Sequence, residues 1–179
     1  MSDLKHAVVL VGHGGIPSDC PPEHISKFKR LESQRRKQNL PPSDEELEVD
    51  KIIRNWPRTA ETDPYQAGLE AVSKRLQSTL NGAQLEIAYN EFCAPTLQEA
   101  VESLINKGFA DITVISTMFT PGGSHSEIEI PEEVDELNKK FPDVNVDYAW
   151  PFDLKHVGKF LSEHIDLHRK NHNYGPASS

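Results

Sequence analysis

A chain of 179 residues, 36% hydrophobic and 26% charged, is long enough to bury one core and reads as a single soluble globular domain. Its net charge of −9 argues against nucleic acid as a partner, and no apolar stretch has spanning length, so no membrane role is expected. Cys20 and Cys93 are far apart and form no metal-type pair; with no signal-peptide pattern before the first strand, the expectation is a reducing, cytoplasmic setting.

Residues 6–11 are a short apolar run and predict a first buried strand. Gly12-His13-Gly14-Gly15 follows at once; glycines around one histidine imply a tight bend that lets another group approach closely. Residues 16–63 change character, with Pro17, Pro21, Pro22, Pro41, Pro42 and Pro57 among dense charges. They read as a helical insertion with too few apolar residues for a core of its own. Glu23–Lys37 predicts a basic helix with Ile25, Phe28 and Leu31 on one face. Ser43, with Glu46 three residues later, predicts a capping box for a second helix that ends near Trp56, before Pro57.

Asp63 and Pro64 fit the N-cap and first position of an amphipathic helix whose apolar face is Tyr65, Leu69, Val72, Leu76 and Leu80. Residues 84–90 predict a second strand with Glu91 at its carboxyl end. Pro95-Thr96 opens a helix that buries Leu97, Ala100, Val101, Leu104 and Ile105. Residues 112–117 predict the third strand. Pro121-Gly122-Gly123 breaks it and delivers Ser124, His125, Ser126, Glu127 and Glu129 to the mouth of the sheet. A helix over 131–140, a strand over 144–150 and a helix Leu154–His168, seated on Val157, Phe160, Leu161 and Ile165, complete the chain. The tail 173–179 is expected to fray.

Alternating strands and helices predict an α/β fold, a four-stranded parallel sheet with helices on both faces, in one domain over 1–179 that carries the insertion 16–63. Ligands of such sheets bind beyond the carboxyl ends of the strands. His13, Glu91 and His125, with Glu127 and Glu129, all fall there. Two imidazoles and carboxylates suit cobalt, iron, nickel or zinc, and a neutral histidine accepts protons near pH 7.

Val-Leu-Val-Gly-His13-Gly, Asn-Glu91-Phe-Cys-Ala-Pro95-Thr-Leu and Met-Phe-Thr-Pro-Gly-Gly-Ser-His125-Ser-Glu-Ile-Glu129-Ile-Pro131 stand in this order. Together they resemble the CbiX/SirB group, class II chelatases that insert cobalt, iron or nickel into sirohydrochlorin. The resemblance covers roughly residues 5–15 and 64–170. It implies a chelatase (flavodoxin-like) fold, a lyase activity, no organic cofactor, and a divalent metal (Co²⁺, Fe²⁺ or Ni²⁺) and a tetrapyrrole as substrates. The single-half members resemble homodimers, so a homodimer is implied. His13 and His125 match the family histidines and are expected to bind the metal and accept pyrrole protons. Glu91 is expected to orient or accept protons, and Glu129 to join the metal or to support a metal-binding histidine from behind. Gly14, Gly15, Gly122, Gly123 and Ser124 are expected against the substrate.

The chain departs from the family where Gly15 replaces a serine, where Glu129 replaces an aspartate, and in its long insertion. Lys27, Lys29, Arg30, Arg35 and Arg36 of that insertion are candidates to meet substrate carboxylates. A rival reading is a metal or tetrapyrrole carrier on the same fold. A hydrolase using Ser124 or Ser126 with His125 is disfavoured by the sequence spacing and by the lack of a Gly-x-Ser-x-Gly elbow. His164, His168 and His172 read as cations at the negative end of a helix rather than as metal ligands, and Glu127 as solvated.

Overall fold

The computed structural model describes residues 5–171. Strands β1 (His6–Gly12), β2 (Gln84–Tyr89), β3 (Asp111–Ser116) and β4 (Asn145–Tyr148) form one parallel sheet in the order β2-β1-β3-β4. β1 is central, and every residue after His6 in it is buried, as a strand covered on both faces requires. Its Leu10 pairs with Ile87 on one side and Ile115 on the other, so β1, β2 and β3 end at nearly the same level. That register brings the three strand-end segments to one edge.

The described residues also form the helices α1 (Pro22–Gln38), α2 (Asp44–Arg54), α3 (Pro64–Gln77), α4 (Leu97–Asn106), α5 (Ile130–Lys140) and α6 (Leu154–Asn171). α4 and α5 cover one face, packing Leu97, Val101, Leu104 and Val134 with Val9, Val11 and Val114. Thr96 and Glu99 close a reciprocal capping box at the start of α4. α3 covers the other face, where Leu69 joins Val8, Leu10, Leu85 and Tyr89. Asp63 caps α3 by accepting from the backbone N–H of Gln66 at 2.9 Å.

The insertion does bury a small core, contrary to expectation. Cys20, Val49 and Ile53 are buried beneath Ile25, Phe28, Leu31 and Trp56, and Phe92 from the loop after β2 completes the cluster. The missing apolar group comes from outside the segment, so counting residues within it underestimates its core. Ser43 caps α2 as expected, but the box is not reciprocal: the buried Glu46 carboxylate turns to Arg35 at 2.8 Å.

α6 is the second correction. No residue of α6 is buried; Phe160 is 61% and Ile165 55% exposed, and Val72 on α3 is exposed as well. An apolar groove of about 590 Å³, lined by Leu10, Val72, Ile115, Phe119, Phe152 and Phe160, lies between the helix and the sheet. Periodicity identifies the apolar face of a helix but not what covers it. Trp150, at the end of the strand expected over 144–150, is half-buried and stacks on Tyr148 with ring centroids 6.1 Å apart. The tail 173–179 and His172 lie outside the described residues.

Candidate functional site

Beyond the sheet the first two strand-end segments stay paired. The N–H of Asn90 donates to the Gly12 carbonyl at 2.9 Å, and the N–H of Glu91 to the His13 carbonyl at 2.8 Å. Contact this close needs a residue without a side chain: a Cβ on Gly14, whose φ is +100°, would lie 1.8 Å from the Glu91 carbonyl oxygen. The backbone N–H of His13 donates to the Tyr65 hydroxyl at 2.7 Å. Phe92 adopts φ +59°, which turns its ring into the insertion core.

The insertion grips both segments through two arginines. Arg54 donates to the carbonyls of Asn90 at 3.1 Å and Cys93 at 3.0 Å, and forms an ion pair with Asp50. The buried Arg58 donates to the Gly15 carbonyl at 2.9 Å, the Ile53 carbonyl at 3.0 Å, the Phe92 carbonyl and the Asp63 carboxylate. A planar guanidinium with five donors can tie this many separate oxygens. Neither arginine was singled out from the sequence, since their targets are main-chain carbonyls with no sequence signature.

The third segment is built differently from expectation. The helical course begins at His125, with a π-helical turn over His125–Glu129 that runs directly into α5. The N–H of Ile130 donates back to the His125 carbonyl. Pro131 has no N–H to give to the Glu127 carbonyl, and its ring crowds that oxygen, so a widened turn is the accommodating geometry. Glu127, expected to be solvated, accepts from the Gly122 N–H at 2.9 Å and closes the loop. Ser126 is buried and donates to the Met118 carbonyl at 2.9 Å, which occupies it structurally.

His13, Glu91 and His125 converge. Nε2 of His13 lies 3.8 Å from one oxygen of Glu91, and Nε2 of His125 lies 3.8 Å from the other. The two imidazoles meet edge to face with centroids 5.0 Å apart. One ligand atom from each of the three residues falls within 4.8 Å of the others, and among the described residues this is the one such group. Nδ1 of His13 is 3.0 Å from the Gly14 carbonyl, which only accepts, so Nδ1 donates there and Nε2 is the nitrogen turned to Glu91.

Of the two places expected for Glu129, the structure puts its carboxylate behind His125. Its carboxylate is 2.9 Å from His125 Nδ1 and 3.2 Å from the Asn90 side-chain nitrogen. Nδ1 of His125 also lies 2.8 Å from the Asn90 side-chain nitrogen, so Asn90 and Glu129 together fix the ring with Nε2 turned to Glu91. Partial burial would raise the Glu129 pKa, but the hydrogen bonds from His125 and Asn90 outweigh it and hold the carboxyl below the usual range. Asn90 was not assigned a role from the sequence.

Of the glycines expected at the substrate, Gly14 and Gly15 serve close packing; a Cβ on Gly15 would stand 3.0 Å from the Asp63 carboxylate. Gly122, Gly123 and Ser124 lie exposed on the rim. Of the insertion's basic residues, Arg35 is engaged by Glu46, Lys27 by Glu45, and Arg36 reaches the site, 4.0 Å from Glu91. Beside the cluster is a cavity of about 180 Å³, smaller than the roughly 300–1,000 Å³ typical of enclosed ligand pockets. It adjoins an open groove of about 480 Å³ lined by Glu32, Ser33, Arg36, Lys37 and Glu91.

A parallel sheet with two imidazoles and a carboxylate gathered at its strand tips defines the class: an α/β protein with a donor set suited to a divalent metal. A family model described as CbiX matches residues 60–164, more than half of the chain, and the chain belongs to the CbiX family. It is 37% identical over 67 residues to the sirohydrochlorin cobaltochelatase of Priestia megaterium, a match covering 37% of this chain and 22% of that protein. It is 27% identical over 97 residues to the sirohydrochlorin ferrochelatase of the same organism, covering 54% of this chain and 36% of that protein. The matches thus span well under half the length of these relatives.

The fold is similar to that of a cobalamin (vitamin B12) biosynthesis CbiX protein from Marinobacter aquaeolei VT8, with a TM-score of 0.56 at 15% identity over 93% of this chain and 98% of that one. The sirohydrochlorin chelatase SirB from Bacillus subtilis subspecies spizizenii, solved in complex with cobalt, gives 0.51 at 18% identity over 82% and 43%. At these identities the likeness shows the fold.

Proposed function

We propose that this protein is a lyase that inserts a divalent metal, Co²⁺, Fe²⁺ or Ni²⁺, into a sirohydrochlorin-type tetrapyrrole without an organic cofactor. The observation that carries this reading is the convergence of the two Nε2 atoms on the two oxygens of Glu91, with one ligand atom of each residue within 4.8 Å of the others. Sirohydrochlorin is the substrate named for the P. megaterium relatives, one a cobaltochelatase and one a ferrochelatase.

His13, Glu91 and His125 hold the metal, and Glu129 and the Gly14 carbonyl fix the two rings from behind. Insertion exchanges one M²⁺ for the two pyrrole N–H protons of the macrocycle. As the metal leaves, the ligand atoms become free bases and take up those protons, so the net charge at the site is conserved. The cavity of about 180 Å³ is too small for a flat tetrapyrrole, so the ring lies across the open rim, near Gly122, Gly123 and Ser124 and the groove beside Glu91.

The active form is a homodimer. The exposed apolar residues of α6, with Phe160 and Ile165 among them, give each copy an apolar face that a second copy would cover. Two free, buried cysteines suit a cytoplasmic setting. Incubation with sirohydrochlorin and Co²⁺, Fe²⁺ or Ni²⁺, followed by absorption, tests the activity. Wild type is expected to accelerate insertion and His125→Ala to lose it by at least about a hundredfold. Metal binding with no acceleration would replace the chelatase by a carrier.

A further inference from the structure

The insertion sends one cation into the site. Arg36 lies in the last turn of α1, 2.7 Å from Glu32 and 4.0 Å from Oε1 of Glu91. That oxygen is also the one 3.8 Å from Nε2 of His125. A guanidinium and an imidazole nitrogen therefore approach the same carboxylate oxygen. Arg35 beside it is locked to the buried Glu46, which fixes α1 in place. The Arg36 side chain is 54% exposed and can swing without disturbing the helix.

We propose that Arg36 is a built-in competitor of the metal for Glu91, a positioning residue that keeps metal affinity low enough for hand-over to the macrocycle. This rests on reading His13, Glu91 and His125 as the metal site. A chelatase gains nothing from a site that keeps its ion; catalysis needs the bound metal to remain close in energy to the inserted one. A fixed positive charge at the shared carboxylate weakens the site for a dication and leaves its geometry intact. When the metal arrives, repulsion turns the guanidinium from Glu91 toward the groove formed by Glu32, Ser33 and Lys37. A carboxylate on the macrocycle edge meets it there, which couples metal loading to substrate docking.

The test is titration of the apoprotein with Co²⁺ alone, read by calorimetry, for wild type, Arg36→Ala, Arg36→Lys and His13→Ala. Arg36→Ala is expected to bind Co²⁺ about three- to tenfold more tightly than wild type, and Arg36→Lys to stay near wild type. The gain in Arg36→Ala is expected to shrink at high salt. Structural damage would weaken binding, so a tighter constant has no trivial explanation. Equal or weaker binding by Arg36→Ala, alongside wild-type binding that His13→Ala abolishes, overturns the role of Arg36 and leaves the metal site standing. Failure of wild type to bind Co²⁺ overturns the metal site and the proposal together.

Discussion

The Cβ that Gly14 lacks would lie 1.8 Å from the carbonyl oxygen of Glu91. The first and second site segments are in contact only because this position is empty and its φ is +100°. Gly14→Ala is therefore expected to cost at least about 3 kcal/mol, because the loops must part, and to abolish Co²⁺ binding. Gly122 also has positive φ, +91°, but faces open space. Gly122→Ala should cost only about 1 kcal/mol. Urea unfolding of both variants checks the contrast.

Glu129→Gln tests whether the carboxylate behind His125 matters. Loss of a charged partner at Nδ1 is expected to weaken Co²⁺ binding about 10- to 100-fold at neutral pH. Its pH dependence follows from the depressed pKa of Glu129, which burial opposes and the bonds from His125 and Asn90 produce. An acid depressed in the folded state stabilises the fold above its ordinary pKa, and that contribution is lost as pH falls through the depressed value. The stability gap between wild type and Glu129→Gln should accordingly be full at neutral pH and close in acid. A gap independent of pH would count against the arrangement.

Arg58 is expected to be a structural keystone rather than a participant in chemistry. Its removal strands the buried Asp63 carboxylate and the Gly15 and Phe92 carbonyls. Arg58→Ala should destabilise by about 3–5 kcal/mol in thermal or urea unfolding. Arg58→Lys should recover only part, since one ammonium cannot span the same oxygens.

The dimer reading predicts a separation between assembly and folding. Leu161→Glu with Ile165→Glu places charges on the exposed face of α6. Sedimentation should then show monomers where wild type shows dimers. The protomer's near-ultraviolet spectrum should be unchanged, because no α6 side chain is buried within one copy. A monomeric wild type would end this reading.

Strand order of appearance, the helix caps at Asp63 and Ser43 and the placing of His13, Glu91 and His125 at the strand tips were legible in the chain, because each depends on local chemistry. An apolar run must be buried, a glycine pair must turn, and a polar side chain at a strand tip must face the mouth of the sheet. The π-helical turn at His125, the grip of Arg54 and Arg58 on main-chain carbonyls and the reach of Arg36 to Glu91 were not. The contacts of Arg54 with Asn90 and Cys93, of Arg58 with Gly15 and Phe92 and of Arg36 with Glu91 join residues more than 30 positions apart, and nothing in either partner's neighbourhood names the other.

The sequence by itself determined that an α/β sheet would form and which side chains would crowd its carboxyl edge. Only the tertiary structure decided that Glu91 lies between the two imidazoles while Glu129 stands behind one of them. The physical reason is geometric: spacing along the chain orders the segments, but the 3.8 Å separations arise from strand register and from a glycine that lets two loops touch.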